Sequence, residues 1–348
     1  MNIIATIGPR NCKPKAIDEI VEGGCNIIRI NLSHGNYDDI KDILLYIRKN
    51  YKNIKILMDL QGNKIRVSKS IKDTFKIIKG DKVCFCSEDD YKEILSKGEK
   101  EKVIPLNIGR EFILNNKYKK VYMKDGTMEF DVLENTKDSI KTVTKIGGVV
   151  RGEKGCNLPG INRLGWKLTE KDKEDINFAL NNGVDILCYS YCSYDSQCKE
   201  FKENVFKNIK QLGKVPKLWG KIETKEGIEN IKSIAKELDG IVIARGDLVP
   251  EAGLFNIPII QEKIIYSLKD IDKEIIAATN VLSSMKYSSK PTINELSDIY
   301  SLLKGGVTGF MLTGETTVGK NNREIVNTLN KTIKYYEKII GKVKNKRL

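Results

Sequence analysis

The chain has 348 residues, 40% of them hydrophobic, and a formal net charge of +14. This length favours one large domain with an insertion over two equal halves. No apolar run approaches the ~20 residues that span a bilayer, and the N-terminal residues lack a basic leader and a cleavage site. We therefore expect a cytoplasmic protein with no membrane partner. Because the lysines are spread along the chain, we expect no nucleic-acid partner. The charge fits a well-solvated surface and the attraction of small phosphates equally well.

The eight cysteines and the single histidine do not indicate a zinc site. Their spacing matches no zinc-binding template. Cys84 and Cys86 alternate on a predicted strand and so share one face of it. We expect all eight cysteines to be reduced structural thiols.

The first part of the chain alternates short β-branched runs with amphipathic stretches. The pattern predicts strands at 3–7, 26–30 and 55–59, with helices at 14–22 and 37–50 between them. Short alternating strands with turn residues then fill 67–157 and predict an inserted β domain.

The strand and helix alternation resumes after the insertion. Five more strands are predicted at 184–189, 217–222, 240–244, 274–279 and 309–313, followed by a closing helix near 322–338. Eight parallel strands with intervening helices indicate an α/β protein with a (β/α)8 TIM barrel. We assign 1–66 and 158–348 to the barrel and 67–157 to a small β domain inserted after strand 3.

Charged residues follow two of the predicted strands. Lys221 and Glu223 end one run, and Asp247 follows the next. Because the carboxyl ends of parallel strands meet at one rim, we expect these three side chains to lie together. A lysine beside two carboxylates suits a divalent metal and a phosphoryl group bound side by side.

Several sequence motifs resemble those of the pyruvate kinase family. These motifs are Thr-Ile-Gly-Pro at 6–9, Asn-Ile-Ile-Arg-Ile-Asn-Leu-Ser-His-Gly at 26–35, Lys-Gly-Cys-Asn-Leu-Pro-Gly at 154–160, Leu-Thr-Glu-Lys-Asp at 168–172, Gly-Lys-Ile-Glu at 220–223, Ala-Arg-Gly-Asp at 244–247 and Met-Leu-Thr-Gly-Glu at 311–315. They occur in the family's order. The resemblance implies transfer of the phosphoryl group from phosphoenolpyruvate to ADP, with an inserted domain that closes as a lid over the nucleotide.

The resemblance also implies roles for the charged residues at the rim. Glu223 and Asp247 would hold Mg2+ or Mn2+, and Lys221 would stabilise the transferring phosphoryl group. Arg29 would contact the phosphate from another side. The amides near Gly246 and Asp247, with Thr279, would receive the substrate carboxylate.

Further residues are implied for the proton and for the nucleotide. Thr279, through water and with Glu315 nearby, is the candidate for protonating enolpyruvate. The nucleotide-binding residues implied are Asn31, His34, Arg66 and Lys154. His34 is the only histidine in the chain, and we give it a binding or scaffolding role.

The segment after strand 3 departs from the usual family motif. The resemblance places a monovalent-cation region at Asn31, Ser33, Asp59 and Leu60, where most members need K+. Here Lys64 stands in place of the usual glutamate, and Leu60, Gln61 and Val67 accompany it. This combination resembles the potassium-independent branch of the family. We therefore expect activity with Mg2+ and without K+, because the ammonium of Lys64 supplies the same charge.

Other departures leave alternative functions open. Ser193, Asn280 and Ile293 replace an arginine, a glutamine and an arginine of the family pattern. The resemblance covers the barrel, and we expect this protein to have no C-terminal allosteric domain of the kind that typical family members carry. We expect no regulation through such a domain and a homodimer formed through the barrel. Besides an active phosphotransferase, a non-catalytic metabolite sensor or interaction protein and a metal-dependent phosphoenolpyruvate or pyruvate lyase remain as alternatives.

Overall fold

A computed structural model of the chain describes residues 1–8, 11–33, 36–98, 101–114, 117–209 and 215–345. The strands, numbered in chain order, are β1 Asn2–Ile7, β2 Ile27–Asn31, β3 Lys55–Asp59, β4 Phe75–Ile77, β5 Lys82–Ser87, β6 Lys102–Leu106, β7 Lys120–Met123, β8 Met128–Asn135, β9 Ser139–Ile146, β10 Gly148–Val150, β11 Cys156–Asn157, β12 Ile186–Tyr189, β13 Lys217–Ile222, β14 Gly240–Ala244, β15 Glu274–Ala278 and β16 Gly309–Leu312.

The helices lie on both sides of the insertion and, in two cases, within it. They are α1 Pro14–Glu22, α2 Tyr37–Asn50, α3 Tyr91–Ser96, α4 Glu111–Leu114, α5 Glu170–Asn181, α6 Asp195–Ile209, α7 Lys225–Glu229, α8 Ile231–Glu237, α9 Arg245–Ala252, α10 Ile257–Leu268, α11 Ile293–Gly305, α12 Gly314–Val318 and α13 Asn322–Asn345, with 3-10 turns at Leu254–Asn256 and Ser283–Lys286. Within the described ranges, no helix combines the length and the apolar character needed to cross a membrane.

Eight parallel strands close into a barrel, as predicted. Their order around it is β1, β16, β15, β14, β13, β12, β3 and β2. Every one of them contributes at least one buried side chain to a single interior cluster, which makes the barrel a packed core. The cluster consists of Ile4, Ile27, Leu57, Ile186, Cys188, Trp219, Val242, Ile276, Ala278 and Met311.

The chain divides into two compact units. The first, Met1–Gly62, Trp166–Gly246 and Pro258–Leu348, contains the barrel; the second is Asn63–Gly165 with Asp247–Ile257. The boundaries that we predicted from the sequence for the inserted domain, after residue 66 and after residue 157, remain a prediction. Asp247, expected at the barrel rim, is grouped with the second unit.

The second unit holds the inserted β domain. One sheet has the order β11, β7, β8, β9, β5, β6, and a two-stranded sheet pairs β10 with β4. All their pairings are antiparallel except that of β5 with β6. Cys84 and Cys86 pack in one apolar cluster with Val103, so they share a face as expected. This architecture fits the expected β lid domain.

A buried ion pair joins two segments of the second unit. The Nη2 of Arg163 lies 3.0 Å from Oε1 of Glu251, and both side chains are almost completely buried. Asn157 donates to the same oxygen at 3.3 Å. Such a pair costs free energy to break because one charge is left buried. These contacts bind α9 residues to the inserted domain.

Candidate functional site

Strand alternation places four charged side chains on the interior side of the barrel. Ile27, Leu57 and Trp219 belong to the interior cluster. Residues two positions apart on a strand face the same side. Arg29, Asp59 and Lys221 each follow one of these core residues by two positions. Glu223 continues the same alternation one step beyond β13.

Asp59 is the shared partner of both cations. Its Oδ2 accepts hydrogen bonds from Nε of Arg29, at 2.8 Å, and from Nη2 of the same side chain. The Nζ of Lys221 lies 3.3 Å from that oxygen. Arg29 is further oriented by Thr6, whose hydroxyl accepts from Nη1 at 3.0 Å.

Asp59 is ionised despite complete burial. Burial opposes the charged form, but the charges of Lys221 and Arg29 and their hydrogen bonds outweigh it and hold the pKa of Asp59 below its ordinary value. The carboxylate therefore fixes the positions of an arginine and a lysine at the carboxyl end of the barrel. Two fixed cations side by side suit a substrate that carries several negative charges.

Glu223 is held by a main-chain amide and by Lys221. Its Oε2 accepts from the backbone N–H of Tyr191 at 2.7 Å, and its Oε1 lies 3.2 Å from Nζ of Lys221. Tyr191 has φ of 59°, a left-handed conformation that directs its amide to the carboxylate. Glu223 thus presents an oriented carboxylate, the kind of ligand that Mg2+ takes.

Lys64 lies beside Asp247 within the second unit. The Nζ of Lys64 is 3.2 Å from Oδ1 of Asp247 and 3.6 Å from Oδ1 of Asp125. Asp125 lies in the left-handed turn between β7 and β8. The lysine at the position of the family's usual glutamate therefore forms an ion pair with Asp247, one of the predicted metal ligands.

The predicted metal ligands belong to different units, so their assignment as a pair stays a prediction. Glu223 and Asp247 both offer oxygen donors, as Mg2+ requires, and Mg2+ needs few protein carboxylates because it retains waters. Each carboxylate is oriented by a lysine in its own unit. Within the described residues, no group of three or more His, Cys, Asp or Glu side chains could hold a metal ion. The donor set fits Mg2+ and offers no thiolate or imidazole for a softer metal.

Thr279 and Gly246 are in direct contact. The hydroxyl of Thr279 accepts from the N–H of Gly246 at 2.8 Å and donates to the carbonyl of Ala278 at 2.6 Å. We expected the Gly246 amide and Thr279 to receive the substrate carboxylate together. In the structure the Gly246 amide donates to the Thr279 hydroxyl. Both predicted residues meet at the ends of β14 and β15.

Glu315 joins the segments that follow β15 and β16. Its Oε1 accepts from the N–H groups of Val281 and Leu282 at 3.0 and 3.4 Å, and its Oε2 accepts from the N–H of Thr313 at 2.9 Å. The side chain is completely buried. These bonds anchor the loop that follows Thr279. Participation of Glu315 in proton transfer stays a prediction.

The residues predicted for the nucleotide and the monovalent cation fall into both units. In the first, Asn31 ends β2 and its Oδ1 accepts from the N–H of Ser33 at 3.0 Å, while the N–H of Leu60 donates to Cys188 O at 2.9 Å. His34 lies outside the described residues.

In the second unit, Nη1 of Arg66 donates to the carbonyl of Glu153 at 3.0 Å, which places this arginine next to Lys154. Burial lowers the pKa of Lys154, and the charges of Arg151 and Lys124 lower it further. Two adjacent cations are consistent with an anionic ligand, and the nucleotide role of these residues stays a prediction.

Sequence reasoning missed two features that orient the site. Asp59 was assigned only to a cation region, although its position two residues after Leu57 on a buried strand indicates an inward-facing carboxylate. The amide of Tyr191 was missed altogether, because nothing in a non-glycine residue indicates a positive φ. Ser190 reinforces the same region, since its hydroxyl donates to Leu60 O at 2.6 Å.

The fold and this cluster define a (β/α)8-barrel protein with fixed cations and carboxylates at the carboxyl ends of its strands. The family model "pyruvate kinase, barrel domain" matches residues 1–326. The chain therefore belongs to the pyruvate kinase family.

Three relatives have similar sequences over most of this chain. It is 32% identical to the pyruvate kinase of Thermotoga maritima over 340 residues, which cover 97% of this chain and 71% of that protein. Pyruvate kinase 1 of Saccharomyces cerevisiae is 30% identical over 351 residues, 99% of this chain and 69% of the relative. The Bacillus licheniformis pyruvate kinase is 30% identical over 334 residues, 94% of this chain and 55% of the relative.

Proposed function

We propose that this protein transfers the phosphoryl group of phosphoenolpyruvate to ADP, giving pyruvate and ATP. The observation that carries the proposal is the position of the Lys221 ammonium, which lies 3.3 Å from Asp59 and 3.2 Å from Glu223 at the carboxyl end of the barrel. Membership of the pyruvate kinase family supports the same reaction.

The cations of the barrel unit would bind and stabilise the transferring group. Negative charge spreads over the equatorial oxygens of that group in the transition state, and preorganised donors are most effective there. Lys221 and Arg29 are preorganised by Asp59, so they need not reorganise when the phosphoryl group arrives.

Mg2+ is the proposed metal, with Glu223 and Asp247 as its protein ligands. When bound, it would neutralise and orient phosphate oxygens. The oriented carboxylate of Glu223 supports this assignment. Mn2+ prefers the same oxygen ligands and is the expected substitute.

Thr279 is the proposed proton donor to enolpyruvate, acting through water. After phosphoryl transfer, enolpyruvate needs a proton on its methylene carbon. The Thr279 hydroxyl is held in place because it donates to Ala278 O and accepts from Gly246 N–H; to act, it would turn its single proton from Ala278 O to a water, which would pass one of its own protons to the methylene carbon, and solvent would return a proton to the hydroxyl. A water between this hydroxyl and the enolate would complete the relay.

A coupled assay tests the proposed reaction. Lactate dehydrogenase reports pyruvate formation from phosphoenolpyruvate, ADP and Mg2+. We expect turnover that falls at least about 100-fold in Lys221→Met, because the main cation on the transferring group is lost. Pyruvate release without ADP would instead indicate a lyase. No turnover with retained phosphoenolpyruvate binding would indicate a sensor.

We propose that activity does not require K+, because Lys64 supplies a tethered ammonium. The assay uses tetramethylammonium as the only monovalent cation. We expect full activity for the unsubstituted chain and K+-stimulated activity for Lys64→Met. Lys69→Met is the matched control, since Lys69 is largely exposed in the same unit and lies 3.4 Å from Glu153. Strong stimulation of the unsubstituted chain by K+ would contradict the proposal.

A cytoplasmic homodimer formed through the barrel is part of the same proposal. Large apolar side chains on α10, Ile259 and Tyr266, are about two-thirds exposed, at 66% and 68%. Exposed apolar groups of this kind are typical of association surfaces. Light scattering after size-exclusion chromatography tests the dimer, and a monomer mass would contradict it.

A further inference from the structure

Two consecutive residues after β15 adopt a left-handed backbone. Thr279 has φ of 63° and Asn280 has φ of 53°. A β-branched residue such as threonine is strained in this region, and such strain persists only where surrounding contacts impose it. The conformation turns the Thr279 hydroxyl to within 2.8 Å of the Gly246 amide.

Arg245 supplies contacts that impose this conformation. Its Nη2 donates to the carbonyls of Thr279 and Asn280 at 2.7 and 3.0 Å, and its Nε donates to Thr279 O at 3.2 Å. The side chain is 8% exposed. One planar guanidinium therefore binds the carbonyl groups of both strained residues.

Asp298 orients the guanidinium from α11. Its Oδ2 accepts from Nη1 of Arg245, so the edge of the guanidinium that does not contact Thr279 is also fixed. Only a planar fork of donors reaches a carboxylate and two successive carbonyls together, and a lysine ammonium cannot reproduce it. The two side chains form a clamp that is separate from the Arg29, Asp59 and Lys221 cluster.

We infer that Arg245, oriented by Asp298, is a positioning residue that holds the Thr279 hydroxyl in place for the proton step. This inference rests on the proposed function. Arg245 itself does not contact the reacting atoms; it acts through the backbone of Thr279 and Asn280. Loss of the clamp lets Thr279 relax toward an ordinary φ, which moves its hydroxyl away from the Gly246 amide.

A double-mutant cycle tests the inference. Arg245→Lys should lower kcat roughly 10- to 100-fold, the effect of misplacing a reacting group by about 1 Å, and should leave KM for ADP unchanged. In a Thr279→Val background, which keeps the shape but lacks the hydroxyl, Arg245→Lys should lower kcat no further. Asp298→Asn should show a smaller loss with the same dependence on Thr279.

Proton exchange gives a second measurement that a purely structural role would not change selectively. Loss of the pyruvate methyl signal in D2O, followed by proton NMR with Mg2+ and ATP present, reports enolisation. Arg245→Lys should slow this exchange at least as much as it slows turnover. Arg48→Lys is the matched control, because Arg48 also binds a carbonyl and an aspartate in the barrel unit, at 2.7 and 2.8 Å.

The outcomes separate this inference from the proposed reaction. Equal losses from Arg245→Lys in the unsubstituted and Thr279→Val backgrounds would overturn the positioning role alone, and so would normal exchange in Arg245→Lys. No turnover by the unsubstituted chain would overturn both proposals. Circular dichroism and thermal unfolding of each variant show whether a loss of kcat comes from unfolding. If Arg245→Lys unfolds, the dependence of the Asp298→Asn loss on Thr279 tests the positioning role in its place.

Discussion

Replacing Asp59 by asparagine should destabilise the barrel strongly. Asp59 is completely buried and balances Arg29 and Lys221, whose side chains are only 9% and 14% exposed. The neutral amide would keep the shape of the side chain but remove the carboxylate that Arg29 and Lys221 share, so that Lys221 keeps only the carboxylate of Glu223, at 3.2 Å, among these contacts. Removing one partner of a buried ion pair costs about 3–5 kcal/mol. Because an asparagine oxygen still accepts one hydrogen bond, we expect a loss near the lower end, about 3 kcal/mol.

Urea unfolding followed by tryptophan fluorescence measures this loss, since Trp219 lies in the barrel interior. Asp38→Asn is the control, because Asp38 is 92% exposed and lies 3.4 Å from Lys41; its substitution should leave the free energy of unfolding almost unchanged. A loss below about 1 kcal/mol for Asp59→Asn would refute the conclusion that Asp59 balances both cations.

The pH dependence of that loss follows from the pKa of Asp59. Its folded pKa lies below the ordinary value, so its stabilising contribution is present above the unfolded pKa of about 3.9 and is lost as the pH falls through the folded pKa. The stability difference between the unsubstituted chain and Asp59→Asn should therefore be constant from pH 7 to 5 and shrink below about pH 4. A difference that grows on acidification would contradict this assignment.

Two further predictions concern packing around the site. Gly62→Ala should lower the free energy of unfolding by at least about 1 kcal/mol more than Gly183→Ala. Both glycines have a left-handed backbone, with φ of +64° at Gly62 and +62° at Gly183. A Cβ at Gly62 would lie 2.7 Å from Ser190 O, whereas a Cβ at Gly183 would have nothing within 4 Å. Equal urea midpoints would show that Ser190 gives way. None of the eight cysteines forms a disulfide, and all except Cys12 are buried, so Ellman's reagent at pH 8 should modify about one thiol in the native protein and the rest after denaturation. Rapid modification of several native thiols would contradict the burial.

The repeating pattern of the barrel could be predicted from the sequence because its elements have strong periodicity. The strand predicted at 55–59 and the helices at 14–22 and 37–50 match the structure. The strand predicted at 274–279 ends one residue early, at Ala278, because Thr279 leaves the extended conformation with φ of 63°. The local sequence pattern therefore predicts the strand but not the left-handed conformation of Thr279 at its end.

The cluster was predictable in part for a related reason. The two-residue period of β13 indicates that Lys221 and Glu223 share a face with Trp219. Period alone does not show which residue neutralises the lysine, since Asp59 lies on another strand more than 160 positions earlier. Tertiary pairing between strands decides that contact. The left-handed Tyr191 and the carbonyl clamp of Arg245 also depend on partners from other elements, 32 to 53 positions away in the sequence.

Phosphorus NMR of the unsubstituted chain with phosphoenolpyruvate, ADP and Mg2+ tests the central claim most directly. We predict that the phosphoenolpyruvate resonance declines while the γ-phosphate resonance of ATP grows in equal amount, without K+, and that Lys221→Met nearly abolishes this transfer. Formation of inorganic phosphate in place of ATP, or equal ATP formation by Lys221→Met, would contradict the assignment of the Lys221, Asp59 and Arg29 cluster as the phosphoryl-transfer centre.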